Sequence, residues 1–512
     1  MYLIKNVLAS ISRKIDLKYY ISKKLNLSLN TIDNIKILRR SIDARKKNNL
    51  KYNFTISASI HGKIPQHPDI TEYKPPEPYL ESKKQIFDLH PFIIGAGPAG
   101  LFAALSLVEK GFKPYIFDRG DEIEKRTKKV TKFWEKGLLD EESNVQFGEG
   151  GAGTFSDGKL TTRTRDFYTE KIIDYLVKFG ADKKIKYEAL PHLGTDGIKK
   201  IVINIRNFLE EKGCKFFWKH KLQDIQIQNG KIASVNINKQ TYNPEILILA
   251  IGNSARDTFE MLSQKISLEN KPFAVGVRIE HLQDYINQAF YGEKTDFTIT
   301  GPASYRLTAK SKNRGIYSFC MCPGGYIIPA SSEKDSLVLN GMSFKDRNNK
   351  YANSAIVVTV NESDYGKQIL AGIEFQRKIE RKCFLPKNPY FAPVQKVNDF
   401  LKGKTSENKI RSSYVPGILP KKLNELLPEQ ISKNLKFGLK IFDKRIPGFI
   451  KEGILLAPET RTSSPIRILR NKETFEALEV SNLYPIGEGS GYSGGIISSA
   501  VDGYKLGQIF KF

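Results

Sequence analysis

An α/β fold is what this sequence predicts, interrupted by a mixed α+β insertion and preceded by a small α+β domain. Three observations carry that prediction. Residues 90–120 read as strand, glycine turn, helix, strand and acid. Near residue 271 the pattern changes, with strand-like runs clustering first and helix-like runs following. Residues 451–512 then return to a strand that enters a glycine-rich turn and a final helix.

In the opening unit, the apolar run Phe92-Ile93-Ile94 leads into Gly95-Ala96-Gly97-Pro98-Ala99-Gly100. A helical pattern follows and offers Leu101, Ala104, Leu105, Leu107 and Val108 to one face. Gly111 closes it, and Tyr115-Ile116-Phe117 ends at Asp118. Gly95 permits the tight turn out of the strand. Gly97, with no side chain, lets a pyrophosphate approach the backbone, and Gly100 lets helix and sheet pack closely. The helix start presents N–H groups and a positive dipole end to phosphates. Asp118 stands where a carboxylate accepts hydrogen bonds from a ribose diol. GxGxxG alone is a weak signal. With its strand, helix and acid in place it reads as a Rossmann-like dinucleotide site rather than an ordinary glycine turn.

A chain of 512 residues has room for two or three domains, each with its own core. Its 40% hydrophobic and 27% charged content is that of a soluble globular protein. No apolar run is long enough to span a bilayer. The start, MYLIKNVLASISRK, lacks the apolar core and cleavage site of a secretory signal. Four cysteines do not make a disulfide framework in a chain this long. A reducing, cytoplasmic setting is therefore expected. The formal charge of +26 admits nucleic acid, an anionic membrane face or acidic substrates. Most of it comes from dispersed lysines, so nucleic acid is a partner the charge permits but does not favour.

Residues 1–70 form the small basic α+β domain, with a strand at 2–7, a helix at about 13–25 and a strand at 52–60. Its cluster Arg39, Arg40, Arg45, Lys46 and Lys47 would suit a phosphate backbone, or simply a solvated face. Residues 71–89, with Pro75-Pro76-Glu77-Pro78, read as a stiff linker. The first part of the nucleotide domain spans 90–270. Within it, Gly148, Gly150 and Gly153 repeat the glycine spelling, but no convincing strand precedes them and no helical run follows. This is a glycine loop (Gly150, Gly151, Gly153) able to lie flat against a planar cofactor. Ser156, Asp157, Lys159, Thr162 and Arg163 are its polar groups. Helices at 168–180 and 196–212 follow, then strands at 215–218 and 245–250 with a hairpin around Asn229-Gly230. The strand at 245–250 runs into Gly252, at a carboxyl end where open α/β sheets bind ligands.

Residues 271–450 are the inserted substrate or cap domain. Strand-like runs lie at 273–279, 316–322, 326–329, 336–339 and 355–360, and helical runs at 366–382 and 422–436. No second strand–GxGxxG–helix unit occurs there, so no separate nicotinamide fold is expected. Residues 451–512 complete the nucleotide domain. Leu483 to Ile486 runs into Gly487-Glu488-Gly489, and Gly494-Gly495 opens the helix from Ile496. The chain ends before another strand and acid, so this unit completes the first fold rather than making a second.

Several long phrases carry a family resemblance: FGEGGAGTFSDGKLTTR, ILAIGNSARDTFEML, KPFAVGVRIEH, YSFCMCPGGYIIPASS, NSAIVVTV, ETRTSSPIRI and LYPIGEGSGYSGGIISSAVDG. Together they resemble a bacterial family described as uncharacterised FAD-dependent dehydrogenases, within the NAD(P)/FAD-dependent oxidoreductase superfamily and with the FAD-dependent protein C-terminal domain. The resemblance implies an FAD/NAD(P)-binding Rossmann-like domain and non-covalently bound FAD. It also implies an oxidoreductase of undefined substrate, with NAD(P)H as a transient donor. It places Gly95, Gly97, Pro98, Ala99 and Gly100 at the pyrophosphate, Asp118 at the adenosine ribose and Arg119 beside the adenine. Glu488, after Gly487, would face the ribityl or pyrophosphate region. Gly494, Gly495 and Ile496 would set a helix N-terminus by the pyrimidine edge of the flavin. A tRNA-modifying type of flavoprotein, gripping RNA through the basic N-terminal domain, is the alternative.

No residue declares itself as acid or base. Lys159, Arg163 and Arg461 are the cationic candidates, either for an anionic substrate or as loop pins. Cys320 and Cys322 form C-x-C, and on a regular strand residues i and i+2 share a face. A dithiol relay is one reading and two buried small hydrophobes the other; C-x-x-C is the usual redox spacing. The six histidines show no metal-ligand spacing.

Overall fold

The computed structural model describes residues 1–75, 88–162, 166–312, 314–407 and 409–510. Its central layer is a five-stranded parallel sheet. The order is Leu483–Pro485, Leu247–Leu249, Phe92–Ile94, Tyr115–Asp118, Lys215–Trp218. Phe92–Ile94 and Leu247–Leu249 are buried at every residue, as strands covered on both faces must be. From Phe92–Ile94 the next strands of the chain build toward one edge, whereas Leu247–Leu249 joins on the opposite side. The switch point therefore lies between these two strands, and ligands of such sheets bind at the carboxyl ends there. The turns at Gly95 and Gly252 leave those two ends.

The helix Pro98–Lys110 starts on Gly97 with proline in its first turn. It ends at Gly111, whose φ of +101° lets its N–H return to the Leu107 and Val108 carbonyls. One apolar face was expected, but Ala99 through Leu107 are all buried. The cause is a second layer. On one side a Cβ at Gly100 would collide with the Gly95 carbonyl oxygen. On the other side lies the closing helix, Ile496–Ile509, whose Gly503 and Gly507 sit one turn apart. A Cβ at Gly503 would collide with the Ala99 carbonyl, and one at Gly507 would come within 2.5 Å of Ser106 Cβ.

The N-terminal sheet is antiparallel, in the order Ile32–Asp43, Lys51–Ile60, Tyr2–Ser10, Ile70–Glu72. Helix Leu17–Leu25 packs on it, capped by the Asp16 carboxylate accepting from the Tyr19 N–H. The long strand Ile32–Asp43 escapes sequence pattern because register shifts at Asp33/Lys36 and Ile37/Arg39 break its alternation. The expected linker begins later than residue 71, since Ile70–Glu72 is a sheet strand, and most of it lies outside the described residues. The domain is docked through backbone. Arg40 donates to the Tyr187 carbonyl and accepts from the Ala189 N–H, and the Asn48 N–H reaches the Tyr291 carbonyl.

The insertion is built on a seven-stranded sheet. The order is Thr308–Ser311, Arg314–Cys322, Tyr351–Val360, Phe273–Leu282, Ile454–Glu459, Ala392–Lys396, Ile418–Pro420. All neighbours are antiparallel except the last pair. The boundary at residue 451 needs correction. Ile454–Glu459 pairs with Phe273–Leu282 and Ala392–Lys396, so the insertion runs through this strand before the chain returns to the nucleotide domain. The strand expected at 336–339 lies at Leu339–Met342, paired with Tyr326–Pro329. Among the described residues, no helix is long and apolar enough to cross a membrane.

Gly503→Val is expected to destabilise the fold by about 1–3 kcal/mol, because the added side chain must displace the Ala99 backbone. Urea denaturation checks this, and an unchanged midpoint would show that the two helices do not depend on this contact.

Candidate functional site

Three glycine segments and the start of the closing helix meet at the switch point. The Gly150 N–H donates to the Ala96 carbonyl at 2.9 Å. A Cβ on Gly151 would lie 3.1 Å from Gly97 Cα, so the two loops pass backbone to backbone. Gly153 faces Ile496, where a Cβ would lie 3.0 Å from the isoleucine side chain. Gly487 packs on Ala99, and Gly489 packs on the Gly252 carbonyl, each leaving a Cβ only 2.6 Å. At Gly252, Gly494 and Gly495, by contrast, a Cβ would meet nothing within 4 Å. These three residues border open space. The closing helix starts there on Gly495 without a side-chain cap, leaving its first N–H groups to be satisfied from the crevice.

The acids are held differently at the two ends. Asp118 clasps the opening turn, with Oδ2 accepting from the Ala96 N–H at 2.9 Å and Oδ1 from the Gly120 N–H at 2.8 Å. A carboxylate has about four lone-pair sites, so each oxygen keeps capacity for a diol. Arg119 lies over the Phe147 ring and is paired with Asp257 and Glu142. Its guanidinium braces the loop. Glu488 Oε1 accepts from Asn253 Nδ2 at 2.8 Å. Ser254 links that asparagine onward to Gln146. Burial pushes the Glu488 carboxyl up to about 6, against the pull of Asn253 and Lys271. Sequence reasoning passed over Asn253, Ser254 and Gln146. Asn253 and Ser254 carried only the signal of standing directly after Gly252, and Gln146 only that of preceding the glycine loop.

The cationic candidates separate. Arg163 lies outside the described residues. Arg461 is spent: Nη2 and Nε bind Glu380, and Nη1 donates to Ser332 at 2.6 Å. The same Glu380 takes both hydrogen bonds of a fork from Arg256, at 2.7 and 2.8 Å, and a third from the Thr460 hydroxyl. Burial works against the Glu380 charge, but Arg256 and Arg461 win and hold its carboxyl well below the usual range. This triad joins the nucleotide domain, through Arg256, to the insertion, through Glu380. Lys159 keeps its ammonium buried, 2.7 Å from Asp157 Oδ2, while its stem is one-third exposed. Asp157 also receives Arg347 Nη2 at 2.6 Å and the Ser343 hydroxyl.

Cys320 and Cys322 do not lie on a flat strand face. The ladder breaks between Phe319 and Cys322, and Cys320 takes a left-handed φ of +45°. A bulge re-aims side chains in this way. Arg278, fully buried, secures it: Nη2 donates to the Cys320 carbonyl at 2.9 Å and lies 4.0 Å from Cys322 Sγ. Arg278 is itself held by Glu459 at 3.0 Å and by Asn353. Arg278 and Glu459 were also missed. Each sits in an apolar strand phrase, where a charge reads as an interruption until its partner across the sheet is known.

The donor set suits an elongated, phosphate-bearing dinucleotide. Glycine backbones and a free helix start lie along the crevice, and carboxylates for hydroxyl groups stand at both ends. Residues 272–462 match the family described as FAD-dependent protein, C-terminal domain-like, and residues 7–59 match a domain of unknown function. An uncharacterized protein of Clostridium beijerinckii is 45% identical over 506 residues, covering 95% of this chain and 94% of that relative. Among solved structures, a geranylgeranyl bacteriochlorophyll reductase-like protein of Thermoplasma acidophilum overlaps 82% of this chain and 77% of its own, at 13% identity and a TM-score of 0.35. CtdE, crystallised with FAD and a substrate, overlaps 82% and 80%, at 10% identity and a TM-score of 0.31.

Glu380→Gln would leave Arg461 buried without its carboxylate partner and Arg256 with Glu333 alone, and about 3–5 kcal/mol of stability should be lost at pH 7. The native carboxyl has its pKa depressed. Its contribution is therefore present above the unfolded value, near 4.5, and is lost as pH falls below it. Urea titrations at pH 7 and at pH 4 and below should show the gap between wild type and variant narrowing with acid.

Proposed function

We infer the function from one premise: this chain belongs to the family of FAD-dependent proteins. It is an FAD-dependent oxidoreductase whose cofactor lies along the crevice at the switch point. The observation that supports this placement is the close approach of Gly97 to Gly151 and of Gly252 to the Glu488 turn, with Gly252, Gly494 and Gly495 each facing open space. FAD, when bound, supplies electron transfer between a donor and an acceptor.

The chain's own residues bind, orient and shield. The turn from Gly95 to Gly100, with Pro98 and Ala99 inside it, would hold the pyrophosphate on backbone N–H groups and the helix start. Asp118 would accept the ribose diol with the lone pairs its turn leaves over. Glu488, steadied by Asn253, would accept hydroxyls nearer the flavin. Gly150, Gly151 and Gly153 would lie along the cofactor with nothing protruding. The closing helix, from Gly494, Gly495 and Ile496, would present its positive end where negative charge develops. Lys159 would stand on the substrate side, because its loop runs from the crevice to the insertion's sheet. A nicotinamide donor would bind transiently, since the described residues contain no second strand–GxGxxG–helix–strand unit to hold it.

Gly494→Val tests the placement directly. Gly494 has no positive φ and no neighbour within 4 Å of a built Cβ, so the FAD-free fold should keep its melting temperature. FAD affinity should fall at least about tenfold, or about 1.4 kcal/mol. Equal affinity would remove the closing helix from the cofactor site. A wild-type protein that shows no flavin absorption after FAD is added would remove the whole reading.

A further inference from the structure

We propose that Cys320 and Cys322 are a redox-active dithiol that reduces low-molecular-weight disulfides by closing to an internal disulfide. The inference goes beyond the cofactor assignment and stands on the bulge and its surroundings. Regular strand geometry would leave Cα atoms two residues apart at about 6.6 Å, near the upper limit for a disulfide of about 6.8 Å. The bulge departs from that regular geometry, with Cys320 in the left-handed region and the ladder broken up to Cys322. Such a conformation is costly for a side chain with a Cβ and persists only where surroundings impose it. Here Arg278 imposes it through the Cys320 carbonyl, and the Cys322 thiol lies 3.3 Å from the same oxygen.

The two sulfurs are unlike in the way an attacking and a resolving thiol should be. Cys320 is partly exposed, whereas Cys322 is fully buried. The hydrogen bond from the Cys322 thiol, then the charges of Lys159 and Arg278, draw the Cys320 thiol downward, while Cys322 is pushed up. Asp157 and Glu459 balance the two cations. Cys214 and Cys383 have no such setting: burial pushes Cys214 up to about 12 and raises Cys383 further.

The step balances without another reactant. The Cys320 thiolate attacks one sulfur of R–S–S–R, a new bond from Cys320 Sγ to that sulfur gives the mixed disulfide, the original S–S bond breaks, and RS⁻ leaves. Cys322 then loses its proton to that thiolate and attacks the Cys320 sulfur, which expels the second RS⁻ to be protonated from solvent. One disulfide is reduced to two thiols, and the dithiol is oxidised to a disulfide, once per chain.

The test uses the full chain, with FAD and after its removal, equilibrated in mixtures of reduced and oxidised glutathione. Samples are acid-quenched, alkylated and mapped by mass spectrometry. The peptide carrying Cys320 and Cys322 should lose two hydrogens while Cys214 and Cys383 stay reduced. Initial alkylation at pH 7 should be at least about tenfold faster at Cys320 than at Cys214, as a thiolate requires. Cys322→Ser should trap glutathione on Cys320, and Cys320→Ser should give neither product. A pair that stays reduced throughout, with Cys320 no faster than Cys214, would overturn the proposal. Loss of FAD binding alone would leave this thiol readout untouched, so the two assignments fail separately.

Discussion

The structure turns on how closely the helix Pro98–Lys110 is approached from both sides. Gly100 brings it onto the Gly95 carbonyl, and Gly503 brings the closing helix onto the Ala99 carbonyl. Neither approach leaves room for a methyl group. Interiors packed at this density do not relax by small increments. The turn between strand and helix is therefore fixed by backbone, not by adjustable side chains. The crevice inherits that rigidity. Gly151 against Gly97 and Gly487 against Ala99 are the same kind of contact, placed at the mouth of the sheet.

Charge does for the interface between domains what glycine does for the crevice. Arg256, Glu380 and Arg461 are all nearly or fully buried. Three charges taken out of water are expensive unless geometry is good, so such a triad stabilises little but tolerates few alternative arrangements. Arg377, which pairs with Glu333 and Glu260, extends it toward the surface. The N-terminal domain is fixed by other means. Its Arg40 pairs with Glu188 and lies over the rings of Tyr52 and Tyr187, and its backbone hydrogen-bonds the adjoining segment. Arg45 is paired with Asp43. Arg40 thus holds a position within the protein, while Arg45 stays largely exposed.

What the sequence disclosed was local, and what it withheld depended on distant partners. Gly95, Gly97, Gly100 and Asp118 are legible because strand, turn, helix and acid are contiguous. The closing unit at Leu483–Ile509 is legible for the same reason, and its strand does join the first sheet. The helix Pro98–Lys110 was read as one-faced because its second partner lies some four hundred residues downstream, in Gly503 and Gly507. Arg119 and Arg461 looked available because their carboxylates, Asp257 and Glu380, lie far off in sequence. The C-x-C geometry was misread because a bulge has no signature in a two-residue period.

The same logic explains where the buried polar groups collect. The insertion enters through Phe273–Leu282 and leaves through Ile454–Glu459, and these strands are neighbours in the middle of its sheet. An insertion whose two ends are adjacent closes on itself and can fold over the host domain without disturbing it. Residues on the paired end strands are thereby carried to the seam with the host. Arg278 comes from the entering strand and Glu459 from the leaving one, and their ion pair crosses between them. Thr460 and Arg461 follow at once and reach Glu380. Lys159 comes from the host's glycine loop to the same region, beside Cys320 and Cys322. The topology of the insertion thus gathers charged and thiol groups from both domains at one boundary. The glycine contacts fix the host side of that boundary, and chemistry placed there has rigid backbone behind it on both sides.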